Sequence, residues 1–198
     1  MAIFNNFTPL LIEAEGGFVN NPLDPGGATN KGWTLQNYML YGWDNDQDGD
    51  IDIEDLKLMT DAQSKQLYKT HFWDKMRASE INDQYVANTY VDHGVNTGRW
   101  RSVMMMQYVL LRTFAKLIDI DGKIGRETLN AINSVDGSLL TKHFNDLRKE
   151  YYNFRANRLE FVSNQNKNFI DVDLKIAPNS SQQVFINGWL RRVDLHQY

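Results

Sequence analysis

The run Glu15-Gly16-Gly17-Phe18-Val19-Asn20-Asn21-Pro22-Leu23-Asp24-Pro25-Gly26-Gly27-Ala28-Thr29-Asn30-Lys31-Gly32 decides how the rest of the chain is read. Its five glycines and two prolines break any helical period, so the segment reads as a loop or short hairpin. Glycine lets a backbone approach a ligand closely, and long shaped loops often carry function; a plain linker is the alternative. Upstream, Phe4, Phe7, Leu10, Leu11 and Ala14 recur at spacings of three and four, the apolar stripe of a helix that Gly16-Gly17 would end. Glu15 therefore stands at the expected negative end of a helix dipole, where partial burial and the dipole both favour a protonated carboxyl suited to a general acid. Taken alone, one glutamate before two glycines reads first as a surface residue.

Beyond this run lies Asp44-Asn45-Asp46-Gln47-Asp48-Gly49-Asp50-Ile51-Asp52-Ile53-Glu54-Asp55. It places oxygen ligands at positions 1, 3, 5, 9 and 12 of a twelve-residue loop, glycine at position 6 and an apolar residue at 8. Asp44, Asp46, Asp48, Asp52 and Asp55 would present carboxylates and Asp50 its backbone carbonyl to a structural Ca2+. The pattern departs from an EF-hand at Asp55, where a longer glutamate is usual, and is similar there to dockerin loops. A solvated acidic turn is the alternative.

Composition narrows the function classes. The 198 residues suit a single domain, or a main lobe with a small appendage, and can enclose a real core. With no cysteine, neither disulfides nor thiol chemistry is available. The net charge of −4 includes six aspartates of the acidic loop; without those six negative charges it becomes +2. The remaining surface is nearly neutral, which argues against a nucleic-acid partner. Four scattered histidines show no HExxH spacing, and no GxSxG, GxxxxGK[ST] or GxGxxG pattern occurs. Carboxylate chemistry is left.

The periodicity is helical almost throughout. Thr60 and Gln63 predict a capping box opening a helix whose buried side is Ala62, Leu67 and Tyr68. Further helices are expected near 83–96, 99–117, 126–133, 138–160 and 182–195. The second carries a stripe of Trp100, Val103, Met104, Gln107, Leu111 and Phe114. Of Met104-Met105-Met106, consecutive residues pointing three ways, one or two are expected to be buried.

The Glu15–Gly32 run resembles the signature of glycoside hydrolase family 108, lysozyme-like muramidases that include phage endolysins and bacterial secretion activators. Tyr68 to Trp73 resembles that family's Tyr-x-x-x-(Tyr/Phe)-Trp element, and Asp92-His93-Gly94-Val95-Asn96-Thr97-Gly98 its Asp-x-x-Val-Asn-x-Gly segment. Asp121-Gly122-Lys123-Ile124-Gly125 through Ala131 is similar to the repeat of the family's peptidoglycan-binding module, and Gly188-Trp189 to its terminal element. Two departures stand out: Phe18 replaces a common tyrosine, and the calcium-type loop is an insertion found in some members only.

The resemblance implies a mainly α, lysozyme-like fold with a small hairpin region and an inserted calcium loop. Residues 1–117 would form the catalytic region and 118–198 a helical module packed on it as one compact unit. It implies cleavage between N-acetylmuramic acid and N-acetylglucosamine with Glu15 as the acid. Asp24 and Asp92 are candidates for a second carboxylate, and Phe18, Thr29, Asn30 and Asn96 for sugar contacts. Asp24 can equally cap the Pro25-Gly26-Gly27 turn, and Asp92 can equally be a buried helix residue paired with Arg99 or a backbone amide. The Asp121–Asn133 segment either binds the wall or is a structural turn. A non-catalytic wall-binding or secretion-assisting protein is the main alternative, and a calcium-regulated interaction module a third. The partner is then peptidoglycan, met as a monomer. No signal peptide or membrane span is visible, so a chain made in the cytoplasm would reach the periplasm or wall through a holin, a secretion route or lysis. Calcium held only by the folded chain is expected to raise Tm as its free concentration increases. No shift with millimolar calcium, and none on removing Asp44 and Asp48, would count against the metal.

Overall fold

A computed structural model describes residues 1–8, 17–20 and 27–195; Leu10, Leu11 and Ala14 of the first stripe lie outside them. The described residues are mainly helical, with one two-stranded sheet among them. Two compact units are present, Phe4–Lys75 and a second made of Met1–Ile3 with Met76–Tyr198.

In the first unit, residues 4–8 are helical (α1) and bury Phe7. Strands β1 (Thr29–Asn30) and β2 (Trp33–Thr34) pair antiparallel across a turn in which Lys31 (φ 47°) and Gly32 (φ 76°) are both left-handed. Two consecutive positive φ values match the twist of a tight hairpin. Val19 joins the sheet edge by exchanging both backbone hydrogen bonds with Thr29 at 2.8 Å, so the described part of the glycine-rich run is a hairpin, as expected.

Helices α2 (Leu35–Tyr41), α3 (Ile53–Leu58) and α4 (Asp61–Tyr68) complete the unit. The capping box forms as read: the Thr60 amide donates to Gln63 Oε1 at 2.8 Å and the Gln63 amide to Thr60 Oγ1 at 3.2 Å. Leu67 and Tyr68 are buried, but Ala62 is exposed. The inward face runs through positions 64, 67 and 68, so Ser64 takes the place expected for Ala62. Helix α4 widens into a π-turn, Lys69–Trp73, which turns Trp73 into the core with ring centroids 5.6 and 5.7 Å from Phe4 and Phe7.

The second unit is built on α5 (Gln84–Thr97), α6 (Arg99–Phe114) and α8 (Gly137–Arg155), with α7 (Arg126–Asn133), α9 (Asn164–Asn168) and α10 (Ile186–Asp194) around them. The Asp83 carboxylate caps α5 by accepting from the Tyr85 and Val86 amides. Gly98 separates α5 from α6 with φ 93°, a conformation strained for any side-chain-bearing residue. Helix α6 stops at Phe114 because Ala115 turns left-handed, and α8 stops at Arg155 rather than near 160. A π-turn at Phe169–Asp173 and a 3-10 turn at Ser180–Phe185 precede α10. All three residues of the methionine run are buried, against the expectation of one or two. Helix α6 packs against α5, α7 and α8, so every direction meets a neighbour; Trp100 at its start is half exposed. Among the described residues no helix is long and apolar enough to cross a membrane.

The centre of this unit is polar. Asp92, 1% exposed, accepts from Arg148 Nη2 through one oxygen and from Arg192 Nε at 2.6 Å through the other, joining α5, α8 and α10. Beside it His93 is fully buried, edge-on to Phe144, Tyr151 and Tyr152. Burial, reinforced by the Arg148 charge, holds its ring well below the ordinary histidine value of 6.5.

Asp92→Asn leaves two guanidinium groups without their counterion, and should lower unfolding free energy by about 3–5 kcal/mol in denaturant titration. For His93, the native ring stays neutral where the unfolded ring takes up a proton, so its contribution is complete above pH 6.5 and is lost as pH falls toward the depressed native value. Tm should therefore decline below that pH, and His93→Gln should flatten this part of the profile.

Candidate functional site

Glu15 and Asp24 lie outside the described residues. The described residues next to them in sequence, 17–20 and 27–34, include the hairpin, and its side chains divide by role. Asn30 is 4% exposed and donates from Nδ2 to the carbonyls of Leu56, at 2.7 Å, and Lys57, at 3.4 Å, satisfying acceptors at the end of α3. The Asn30 amide thus braces the hairpin against the end of α3. Thr29 is half-buried on β1, and Phe18 is exposed with Lys57 Nζ 5.5 Å from its ring centroid. These three residues and the acidic loop belong to the first unit; Asp92 and Asn96 belong to the second. Asn96, near the end of α5, donates back to the Asp92 carbonyl at 3.4 Å.

The acidic loop is wound into a tight coil. Asp44 accepts from the amides of Gln47, at 2.6 Å, and Gly49, at 3.1 Å; Asp46 accepts from Asp48 and Asp48 from Asp50. Gly49 holds the sharp bend with φ 104°. Carboxylate oxygens of Asp44, Asp46 and Asp48 lie within 4.8 Å of one another, as do those of Asp50, Asp52 and Asp55. The charge of Asp48 raises the Asp50 carboxyl above its usual range, and burial does the same for Asp46, with neighbouring carboxylates adding to it. Asp55 is lowered, chiefly by the Asp52 amide. It is wholly buried and accepts from the amides of Asn45, Asp46 and Asp52, so it closes the loop and starts α3 in a capping box. Each triplet is a hard, all-oxygen set of the kind a divalent cation takes.

Two residues that sequence reasoning did not single out organise these elements. Asn45 donates to the Tyr38 hydroxyl and the Asp55 carbonyl and accepts from Gln63, linking α2, the loop and α4. Gln107, read only as part of a buried stripe, accepts from the Asp121 and Gly122 amides and donates to Asp121 Oδ1 and the Lys123 carbonyl. The Asp121-Gly122 turn is thereby bound to α6 as structure. An interior glutamine at helical spacing beside apolar residues was the one available signal for it.

Comparison with known proteins agrees with this architecture. Residues 8–98 match the sequence model of glycosyl hydrolase 108, and residues 101–194 match that of a predicted peptidoglycan domain. No curated protein sequence matches the chain. Among solved structures, that of SagA from Brucella abortus is similar over 98% of this chain and 91% of its own, with 25% identity and a TM-score of 0.66. Two family models, glycosyl hydrolase 108 and a predicted peptidoglycan domain, thus account in turn for residues 8–98 and 101–194 of the chain.

Proposed function

We propose that this protein is a peptidoglycan N-acetylmuramidase in which Glu15 is the general acid. The observation that carries the reading is the match to glycosyl hydrolase 108 across the segment that holds Glu15 and its glycine-rich hairpin, joined to a peptidoglycan domain in one chain. A neutral carboxyl at Glu15 delivers its proton to the glycosidic O4 as the bond from C1 of N-acetylmuramic acid breaks, and water adds its hydroxyl at C1, its remaining proton restoring the neutral acid at Glu15 by the end of the cycle. Of the two further carboxylates, both oxygens of Asp92 are engaged by guanidinium groups, so the reading gives it an anchoring role. Asp24, in the same glycine-rich run of sequence, is the candidate to steer the water or balance the oxocarbenium charge. Calcium in the acidic loop, Asp44 to Asp55, would be structural: neutralising that loop steadies α3, and α3 carries the carbonyls on which Asn30 and the hairpin rest. The chain acts on the wall after export or lysis.

Purified peptidoglycan incubated with the wild type should release fragments with reducing N-acetylmuramic acid ends, read by mass spectrometry. Glu15→Gln should lower the rate by about 10²–10⁴-fold while the protein still binds the wall. Intact glycan with the folded, calcium-loaded wild type, together with wall binding, would replace the enzyme by a non-catalytic wall-binding or secretion-assisting protein.

A further inference from the structure

We propose that the second unit carries an oxyanion-binding pocket, formed by Arg101, Arg155 and Lys175, that takes a carboxylate or phosphate group of the wall polymer. The three cations line a cavity of about 330 Å3 with Asn179, Gln182 and the backbone at 176–177, and the lining holds no carboxylate. Among the described residues none of the three is ion-paired, although other cations of this unit are: Lys142 with Asp146, Lys149 with Asp194, Arg77 with Glu80. Three like charges collected around one space repel one another, and a bound anion relieves that repulsion.

The pocket is built rather than incidental. Arg101, on α6, is fixed by donating from Nε to the Leu174 carbonyl and from Nη1 to the Thr97 carbonyl, both at 3.1 Å. That uses two of its roughly five donor hydrogens. Arg155, at the end of α8, lies 5.2 Å from the Trp189 ring centroid, and the Asn179 amide donates to its carbonyl at 2.9 Å, holding the 175–179 segment against the helix. Lys175 has φ 55°, a left-handed conformation, imposed where Ile176 donates to the Ile170 carbonyl after the π-turn. Glycine would hold that turn without strain; here a lysine, one of the residues lining the cavity, holds it at a conformational cost. The volume suits an acidic peptide of one or two residues or a sugar phosphate better than a bare ion.

The source of the anion rests on the wall-polymer reading above, and the test separates the two. The full chain is titrated, by calorimetry or NMR, with disaccharide stem-peptide fragments bearing free carboxylates, with the same fragments amidated, and with inorganic phosphate. Two variants accompany it. Lys175→Gly removes a charge and relaxes the backbone. Asn179→Asp adds a negative charge while keeping the oxygen that accepts from the Ser181 amide and hydroxyl. Each should weaken binding by about tenfold with little change in Tm. Preference for free over amidated fragments assigns the anion to the stem peptide. Phosphate binding without that preference assigns it to a phosphate-bearing polymer. Binding of none of the probes, or binding that survives both variants, overturns the pocket. A chain that cuts intact wall but ignores all probes loses this proposal alone; one that binds fragments but leaves glycan whole loses only the muramidase reading.

Discussion

A carboxylate held between two guanidinium groups, in a place water does not reach, is the constraint on which the second unit turns. Asp92 on α5 meets Arg148 from α8 and Arg192 from α10, and the side chains of Asp92 and Arg148 are almost wholly enclosed. Removing such charges from water is costly, and only good geometry with further hydrogen bonds offsets it. Arg148 accordingly also donates to Asn145 Oδ1 at 3.0 Å. Apolar packing alone tolerates a helix sliding by a fraction of a turn, whereas a buried ion triad does not. The same charges explain the neighbour: His93 can be neutral and pack among rings because Arg148 already supplies the positive charge beside Asp92.

This also explains why the Asp92–Gly98 motif could be recognised yet not interpreted from the chain. A buried aspartate and a reacting aspartate look alike when written as letters. What separates them is Arg148 and Arg192, which lie 56 and 100 residues away. Local features were legible because their causes are local: the Thr60–Gln63 box, the hairpin around Lys31-Gly32, and the starts of α5 to α8 each follow from a few adjacent residues. The exposed Ala62, the fully buried methionine run and the π-turns were not legible, since each is set by what the helix packs against. Gln107 belongs to the same class, being polar by composition and interior by tertiary context.

The acidic loop shows the two kinds of information meeting. Its alternating aspartates and Gly49 announced a tight turn, and the coil is formed by hydrogen bonds from its own amides to its own carboxylates. Less visible was that its last member, Asp55, is turned inward and spends its oxygens on backbone amides while starting a helix. A shorter side chain than glutamate suits that task, because it must cap and close the loop at once.

Helix α3 is six residues long, bounded at one end by Asp52 and Asp55 and at the other by the carbonyls that Asn30 grips. It therefore works as a spacer of about 9 Å, and its phase matters as much as its length. One residue inserted between Asp55 and Leu56 would turn the fully buried Leu56 side chain by about 100°, away from the core. Length variation after Asp55 should then come in steps of about three or four residues, which bring Leu56 back to the buried side of the helix.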